Sequence, residues 1–156
     1  MRIGFGYDVH PFAEDRELWL GGIRIEHPNG LMGHSDADVL IHAICDALFG
    51  AANMRDIGTH FPDMAVEFEN IDSKLLLSET MRLLREAGYE LGNIDATIVA
   101  EQPKLNPYIP EMQKTLAQVM EVPINDISIK ATTTEKLGFT GRGEGIAAYA
   151  VALLNK

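Results

Sequence analysis

The sequence predicts an α+β fold, a two-layer α/β sandwich. One mixed sheet of about four main strands has helices packed on one face, and a small β-hairpin lies beside it. Three observations predict this fold. Strand-like segments alternate with segments whose apolar residues recur at helical spacing. The last segment, 146–154, is apolar throughout, as in a strand that lies inside a sheet. Two short apolar runs flank Gly21-Gly22, which is typical of a two-residue hairpin turn.

The first half of the chain contains one strand, the hairpin and one helix. Residues 2–9 form the strand, and residues 17–20 and 23–26 form the arms of the hairpin. Apolar residues at helical spacing predict a helix over 36–52. Ser35 directly precedes this helix, and we expect its hydroxyl to cap the helix N-terminus.

Two segments of the first half lack a regular pattern. Residues 27–35 are polar and rich in turn formers, and residues 53–72 include Gly58 and Pro62 but few apolar repeats. A connection as long as 53–72 in a compact domain is typical of a functional or mobile loop.

The second half of the chain adds two helices and three strands. Residues 73–87 form an amphipathic helix that Ser73 caps and Gly88 ends. The other elements are strands over 94–100, 127–132 and 146–154, a helix over 107–122, and a glycine-rich loop over 133–145.

The composition bounds the class of protein. A chain of 156 residues with 46% hydrophobic residues is expected to form a single domain, residues 1–156, with its own core. A net charge of -10 makes nucleic acid an unsuitable partner. No apolar run reaches the ~18 residues of a membrane span, and no targeting segment is visible, so we expect a cytoplasmic protein without a membrane partner. Cys45 is the single cysteine, so no internal disulfide forms.

Asp8, His10 and His42 are candidate metal ligands. Asp8 and His10 are two residues apart on a strand, so their side chains point to the same side. His42, on a facing helix, would complete three N/O ligands with a free fourth position, which is the arrangement of a catalytic zinc site. On spacing alone, most Asp-x-His pairs are hydrogen-bonded surface or turn residues, and that alternative stays open.

Two carboxylates share the helix face of His42. Asp38, His42 and Asp46 follow at intervals of four residues. One of these carboxylates can orient the second ring nitrogen of a metal-bound His42, or both can be solvated charges on the helix surface.

Two loops have compositions suited to binding. The segment 56–63 contains two carboxylates and a histidine, although Asp in loops also serves turns. The segment 130–145 combines four threonines, three cations and four glycines at the end of a strand, which suits a phosphate group but also a tight turn with capping threonines. It is not a P-loop, because the Gly-Lys-Thr order is absent.

These features together closely resemble the family of 2-C-methyl-D-erythritol 2,4-cyclodiphosphate synthases, enzymes of the non-mevalonate route to isoprenoids. Five separate motifs carry the resemblance, in order along nearly the whole chain. They are RIGFGYDVH (2–10), HSDADV (34–39), DIGTHFPD (56–63), AEQPKL (100–105) and ATTTEKLGFTGRGEG (131–145).

The resemblance implies a reaction. The family's substrate is 4-diphosphocytidyl-2-C-methyl-D-erythritol 2-phosphate, whose 2-phosphate attacks the β-phosphorus of its own diphosphate. CMP leaves and 2-C-methyl-D-erythritol 2,4-cyclodiphosphate forms, so the enzyme is a lyase acting on a phosphorus–oxygen bond. The substrate supplies its own nucleophile, and catalysis then depends on positioning and on charge neutralisation.

The resemblance also implies roles for individual residues. Asp8, His10 and His42 match the ligands of one zinc or other divalent ion per subunit, and Glu135 matches a ligand of a second ion, Mg or Mn, on the substrate diphosphate. His34 and Thr133 match the residues that stabilise the transition state in the family. Residues matching contacts to the methylerythritol end are Ser35, Asp56, Ile57, Gly58, Phe61, Pro62, Asp63, Met64 and Ala65. Those matching the nucleotide end are Ala100, Glu101, Gln102, Pro103, Lys104, Leu105, Asn106, Thr132 and Thr134, with Phe139 and Arg142 near phosphate at the trimer centre.

The resemblance further implies a homotrimer with active sites between subunits and a small cytidine diphosphate substrate as ligand. Two other functions are compatible with the residues alone. A metal-dependent phosphohydrolase would use water as nucleophile and release inorganic phosphate. A metal-stabilised binding module would need a fourth protein ligand, for which His60 is the free candidate.

Overall fold

A computed structural model describes residues 1–62 and 71–156 and confirms the predicted fold class. A five-stranded mixed sheet has the order β4-β1-β7-β5-β6, and β2 and β3 form a separate two-stranded sheet. The strands are β1 (Arg2–Ala13), β2 (Leu18–Leu20), β3 (Ile23–Ile25), β4 (Gly30–Leu31), β5 (Glu90–Val99), β6 (Ile127–Thr132) and β7 (Gly145–Asn155). The helices are α1 (Val39–Ala52), α2 (Ile57–His60), α3 (Ser73–Glu86), α4 (Ile109–Met120) and α5 (Gly138–Gly141).

The four main strands lie where the sequence predicts them, but β1 and β5 are longer than expected. The fifth strand, β4, has two residues and pairs with the end of β1. It lies within residues 27–35, which were predicted to form turns. A strand of two residues has no alternation, so no pattern in the sequence indicates it. Strands β5 and β6 are parallel, whereas β7 is antiparallel to both β1 and β5.

The predicted hairpin is present. Gly21 and Gly22 join β2 to β3 with φ of 63° and 77°, the positive values that a tight primed turn requires. The carboxylate of Asp38 accepts hydrogen bonds from both glycine N–H groups, at 2.9 and 2.7 Å, and from the N–H of Ile41 at 3.1 Å. Asp38 therefore ties the hairpin to the start of α1.

The N-terminal caps of two helices differ from the prediction. Asp38 rather than Ser35 caps α1, and Asp72 rather than Ser73 caps α3 by accepting from the N–H of Lys74. Ala37 adopts φ 59°, so the chain turns before α1 and the helix starts later than expected. The hydroxyls of Ser35 and Ser73 are thereby left to contact other groups.

Helix α1 packs very closely on β1 because two glycines leave room for its backbone. A Cβ atom at Gly4 would lie 1.8 Å from the carbonyl oxygen of Ala47, and one at Gly6 would lie 1.9 Å from that of Ala43. Both distances are far below van der Waals contact, so this packing needs glycine at both positions. The close approach brings α1 and its His42 next to β1.

Replacing Gly6 by alanine is therefore expected to lower the free energy of unfolding by about 3 kcal/mol or more, because the methyl group meets backbone that cannot move aside. Thermal unfolding should show a melting temperature roughly 10 °C lower. Gly50→Ala is the matched control, since its Cβ would meet only the Phe5 carbonyl oxygen, at 3.9 Å, and helix propensity favours alanine. Equal melting temperatures for the two variants would contradict this account of the α1–β1 packing.

One face of the sheet is covered by helices, and the other is open and apolar. Within the single chain, β7 is covered on one side only, because Tyr149 and Val151 are 41% and 42% exposed. Residues of β1 extend the same surface, which we call the open sheet face: Ile3, Phe5, Tyr7, Val9, Tyr149 and Val151. The ring of Tyr149 lies 5.0 Å from that of Tyr7 and 6.3 Å from that of Phe5, centroid to centroid. Monomeric proteins rarely expose a contiguous apolar patch of this kind.

Among residues 1–62 and 71–156, no helix has the length and apolar character needed to cross a bilayer.

Candidate metal and substrate site

Asp8, His10 and His42 come together between β1 and α1. Asp8 and His10 continue the alternation of Gly4 and Gly6 and so point towards α1. The Oδ2 atom of Asp8 lies 2.9 Å from Nε2 of His10 and 3.0 Å from Nδ1 of His42, and the two nitrogens are 3.1 Å apart. The structure thus forms the three-residue group predicted from spacing.

The geometry fits a metal ion. Among the described residues, Asp8, His10 and His42 are the one group of three or more His, Cys, Asp or Glu side chains whose ligand atoms converge. In a tetrahedral site with bonds of about 2.05 Å, neighbouring ligand atoms are roughly 3.3 Å apart, close to the distances seen here. The triad can therefore hold a metal ion.

The tautomer of His10 supports the same conclusion. Its Nδ1 lies 2.7 Å from the carbonyl oxygen of Met32, which only accepts, so Nδ1 carries the proton and Nε2 presents a lone pair to the triad. Burial by itself would raise the pKa of Asp8, but its contacts with the rings of His10 and His42 outweigh burial and hold the pKa of Asp8 below its ordinary value. The carboxylate is therefore available as an anionic ligand.

Neither carboxylate on the helix face of His42 orients its ring. The carboxylate of Asp38 is fully buried and engaged with the hairpin, so it is not a solvated charge. The Oδ1 atom of Asp46 accepts a hydrogen bond from the N–H of Ile57 at 2.8 Å and thereby holds the start of α2. The Nε2 atom of His42 instead lies 3.1 Å from the hydroxyl oxygens of both Ser35 and Ser73. Ser73 was not expected at the site, and no local pattern in the sequence indicates its role.

A cavity of about 260 Å³ opens beside the triad. It is lined by five further residues expected at the site, namely His34, Ser35, Ile57, Gly58 and Phe61, and by Asp46, a candidate partner of His42. Gly33, Ile71 and Leu76 also line it and were not expected there. Asp56 caps α2, with Oδ1 accepting from both the N–H and the hydroxyl of Thr59. Pro62 follows directly in the chain, and the expected contacts Asp63, Met64 and Ala65 lie outside the described residues.

A second cavity, of about 230 Å³, lies at the carboxyl ends of β5 and β6. Its lining is Ala100, Pro103, Lys104, Leu105, Asn106, Ala131, Thr132 and Thr133, of which Ala131 was not expected. Glu101 lies beside the cavity and accepts hydrogen bonds from the N–H groups of Thr134 and Lys136 at 3.2 and 3.1 Å. It thus holds the loop that carries Thr133 and Glu135. Gln102 joins Pro103 through a cis peptide bond.

Four other residues expected at the site line neither cavity, namely Thr134, Glu135, Phe139 and Arg142. Glu135 is exposed in the loop after β6 and adopts φ 52°. Phe139 lies on α5, and the guanidinium of Arg142 pairs with the carboxylate of Glu144 at 2.8 Å. Within one chain, these side chains are not gathered around the triad.

The candidate fourth ligand, His60, is engaged elsewhere. Its ring stacks on Phe49 with 4.0 Å between the ring centroids, and its Nε2 lies 2.9 Å from the carbonyl oxygen of Met54. Because His60 is not in the converging group, the triad keeps its fourth position free of that side chain.

Comparison with known proteins finds relatives that match the whole chain. The sequence model of the YgbB family matches residues 1–155. The 2-C-methyl-D-erythritol 2,4-cyclodiphosphate synthase of Parabacteroides distasonis is 76% identical over 156 residues, 100% of this chain and 97% of the relative. The enzyme of that name from Bacteroides fragilis is 67% identical over 156 residues, 100% of this chain and 98% of the relative.

Solved structures agree as well. The bifunctional IspDF from Campylobacter jejuni matches with a TM-score of 0.95 and 44% identity, covering 98% of this chain and 42% of that one. A CDP-bound form of 2C-methyl-D-erythritol-2,4-cyclodiphosphate synthase matches with a TM-score of 0.90 and 35% identity, covering 99% of this chain and 100% of that one. By sequence and by fold, the chain belongs to the YgbB family, the family of the 2-C-methyl-D-erythritol 2,4-cyclodiphosphate synthases.

Proposed function

We propose that the Asp8–His10–His42 triad and its cavity form the site at which this chain carries out the family's reaction. That reaction converts 4-diphosphocytidyl-2-C-methyl-D-erythritol 2-phosphate to 2-C-methyl-D-erythritol 2,4-cyclodiphosphate and CMP, and it makes the chain a CMP-releasing phosphorus–oxygen lyase of the non-mevalonate pathway. The observation that carries the proposal is the convergence of one carboxylate oxygen and two imidazole nitrogens within 3.1 Å of one another.

The ion we assign to the triad is zinc. Two imidazoles and one carboxylate are ligands that zinc prefers, and three protein ligands are the number found in catalytic zinc sites. Glu135 is the proposed protein ligand of a second ion, Mg or Mn, which accompanies the substrate diphosphate. When bound, the two ions polarise phosphoryl oxygens and offset charge on the leaving CMP.

The residues around the ions bind and orient the two ends of the substrate. The first cavity is proposed to take the methylerythritol phosphate end, with His34 as a donor to the developing charge. The second cavity is proposed to take the cytidine end, with Lys104 beside it and Thr133 at its edge. Holding both ends fixes the 2-phosphate close to the β-phosphorus, which replaces a flexible encounter by a near-attack geometry.

A homotrimer with shared sites is the proposed assembly. Val9 on β1 is in register with Ala147, which is in register with Val99, and Val99 is in register with Thr132 on β6. Three strand spacings separate the triad's strand from Thr132, roughly 14 Å at ~4.8 Å each. A transition-state group must lie within about 3 Å of the reacting atoms, so Thr133 of the same chain is far from the triad. The apolar open sheet face supports association of copies that brings these groups together.

A reaction in ¹⁸O-labelled water tests the reaction type. Because the attacking oxygen belongs to the substrate's own phosphate, we expect CMP and cyclic diphosphate without solvent label. The comparison reaction uses a phosphatase in the same labelled water, which must give labelled phosphate. Release of inorganic phosphate as the main product, or label in the cyclic product, would favour a phosphohydrolase instead.

A further inference from the structure

The contacts of Ser73 bear on the chemistry of His42. Ser73 is the first residue of α3 and is fully buried, so its hydroxyl meets only protein groups. Its backbone N–H donates to Oδ2 of Asp36 at 2.9 Å, and its hydroxyl oxygen contacts Oδ1 of the same carboxylate. The same oxygen lies 3.1 Å from Nε2 of His42 and 3.4 Å from the hydroxyl oxygen of Ser35.

The direction of each hydrogen bond follows from the donors available. An ionised carboxylate only accepts, so the single hydroxyl hydrogen of Ser73 is donated to Asp36. The oxygen of Ser73 then offers only lone pairs to its other neighbours. The Nε2 atom of His42 must therefore carry the hydrogen of the contact with Ser73, and its Nδ1 carries the lone pair.

Ser35 completes the same arrangement. Its hydroxyl oxygen accepts from the N–H of Ala37 at 3.2 Å and is the second oxygen at 3.1 Å from Nε2 of His42. A protonated Nε2 cannot accept, so the hydroxyl hydrogen of Ser35 is directed to the oxygen of Ser73. Both oxygens that face Nε2 are thus acceptors.

We propose that Asp36 and Ser73 form a positioning pair: Asp36 orients the hydroxyl of Ser73, and Ser73 holds His42 in the Nε2–H tautomer. The Nδ1 lone pair of His42 then points towards Asp8 and His10. This inference rests on the proposed metal site at the triad. A metal-bound imidazole commonly donates its other N–H to a carboxylate or carbonyl group. Here a buried hydroxyl lies between the imidazole and the carboxylate, and the two residues belong to different segments, the turn before α1 and the start of α3.

The test measures metal binding rather than activity alone. Apoprotein is titrated with Zn²⁺ in competition with a chelator, and with Co²⁺ to record the visible spectrum of the bound ion. We expect Ser73→Ala and Asp36→Asn each to lower Zn²⁺ affinity by about 10- to 100-fold, the usual loss when an outer-shell partner is removed. The Co²⁺ spectrum should also change, because the ring of His42 is less firmly oriented.

Asp36→Asn separates tautomer control from simple packing. The asparagine has nearly the same shape, and it leaves the hydroxyl of Ser73 in place. Its amide can donate to that hydroxyl, which is then free to donate to Nε2 and favour the wrong tautomer. Asp72→Asn is the matched control, since it makes the same chemical change one residue from Ser73, at the cap of α3, without contact to His42. We expect it to lower the melting temperature but not the Zn²⁺ affinity.

Nitrogen-15 NMR of histidine-labelled, zinc-loaded protein provides a direct readout of the tautomer. His42 should show a metal-bound Nδ1 and a protonated Nε2. Wild-type protein that binds Zn²⁺ at the triad while both variants keep its affinity and Co²⁺ spectrum would overturn the positioning role alone. A His42 bound through Nε2 would do the same. Wild-type protein that binds no metal at the triad would overturn the metal site and this inference together.

Discussion

Replacing His42 by alanine is expected to abolish both metal binding and activity. The imidazole supplies one of three converging ligand atoms, and its Nδ1 lies 3.0 Å from Asp8 and 3.1 Å from His10. Two ligands on one strand do not enclose a zinc ion, and loss of metal-based charge stabilisation costs several kcal/mol of barrier. Turnover should therefore fall by about a thousandfold or more. Elemental analysis of the purified variant and a CMP-release assay measure the two effects.

His27→Ala is the control for this variant. Its ring stacks on Phe12, with 5.3 Å between the ring centroids, and it takes no part in the triad. Like His42→Ala, this variant lacks one histidine, but we expect it to keep full metal occupancy and unchanged turnover. Full zinc occupancy in the His42→Ala protein would show that the ion is held elsewhere, and the assignment of the triad would then fail.

Replacing Phe5 by glutamate is expected to dissociate the assembly and to lower activity about 100-fold or more, because an unpaired carboxylate at an apolar contact is costly to bury. Phe5 is 63% exposed in the single chain, so the same change should leave the fold of the subunit intact. Sedimentation velocity should give trimers for the wild-type protein and monomers for the variant. Circular dichroism should be unchanged.

Ile124→Glu is the matched control for the open sheet face. Ile124 is also an exposed apolar residue, 47% exposed, but it precedes β6 on the turn after α4 and lies outside the open sheet face. We expect this variant to remain trimeric and active. A Phe5→Glu monomer with full activity would contradict shared active sites. A Phe5→Glu trimer of wild-type stability would contradict the open sheet face as the contact.

Much of the fold and of the chemistry was accessible from the sequence because it depends on local patterns. Period-two spacing placed Asp8 and His10 on one side of β1, and Gly21-Gly22 indicated the hairpin. The predicted α+β fold is confirmed, with β6 at its predicted bounds. The family and enzyme class predicted from the five motifs are also confirmed. The roles assigned to individual residues remain predictions.

Other features were decided only by the tertiary structure, because they depend on which distant groups meet. Asp38 caps α1 in place of Ser35 because the hairpin brings two glycine N–H groups to its carboxylate. The partner of the second nitrogen of His42 is a serine 31 residues away in sequence rather than a carboxylate on its own helix.

The open sheet face shows the same limit of sequence patterns. An apolar run such as 146–154 indicates contact with apolar groups, but it cannot say whether they belong to the same chain. Helix α1 covers one side of β7, and the other side is left exposed within the single chain. Hydrogen-bond partners and surface contacts between distant segments depend on how helices and strands pack. Residue spacing indicates only local structure and does not predict that packing.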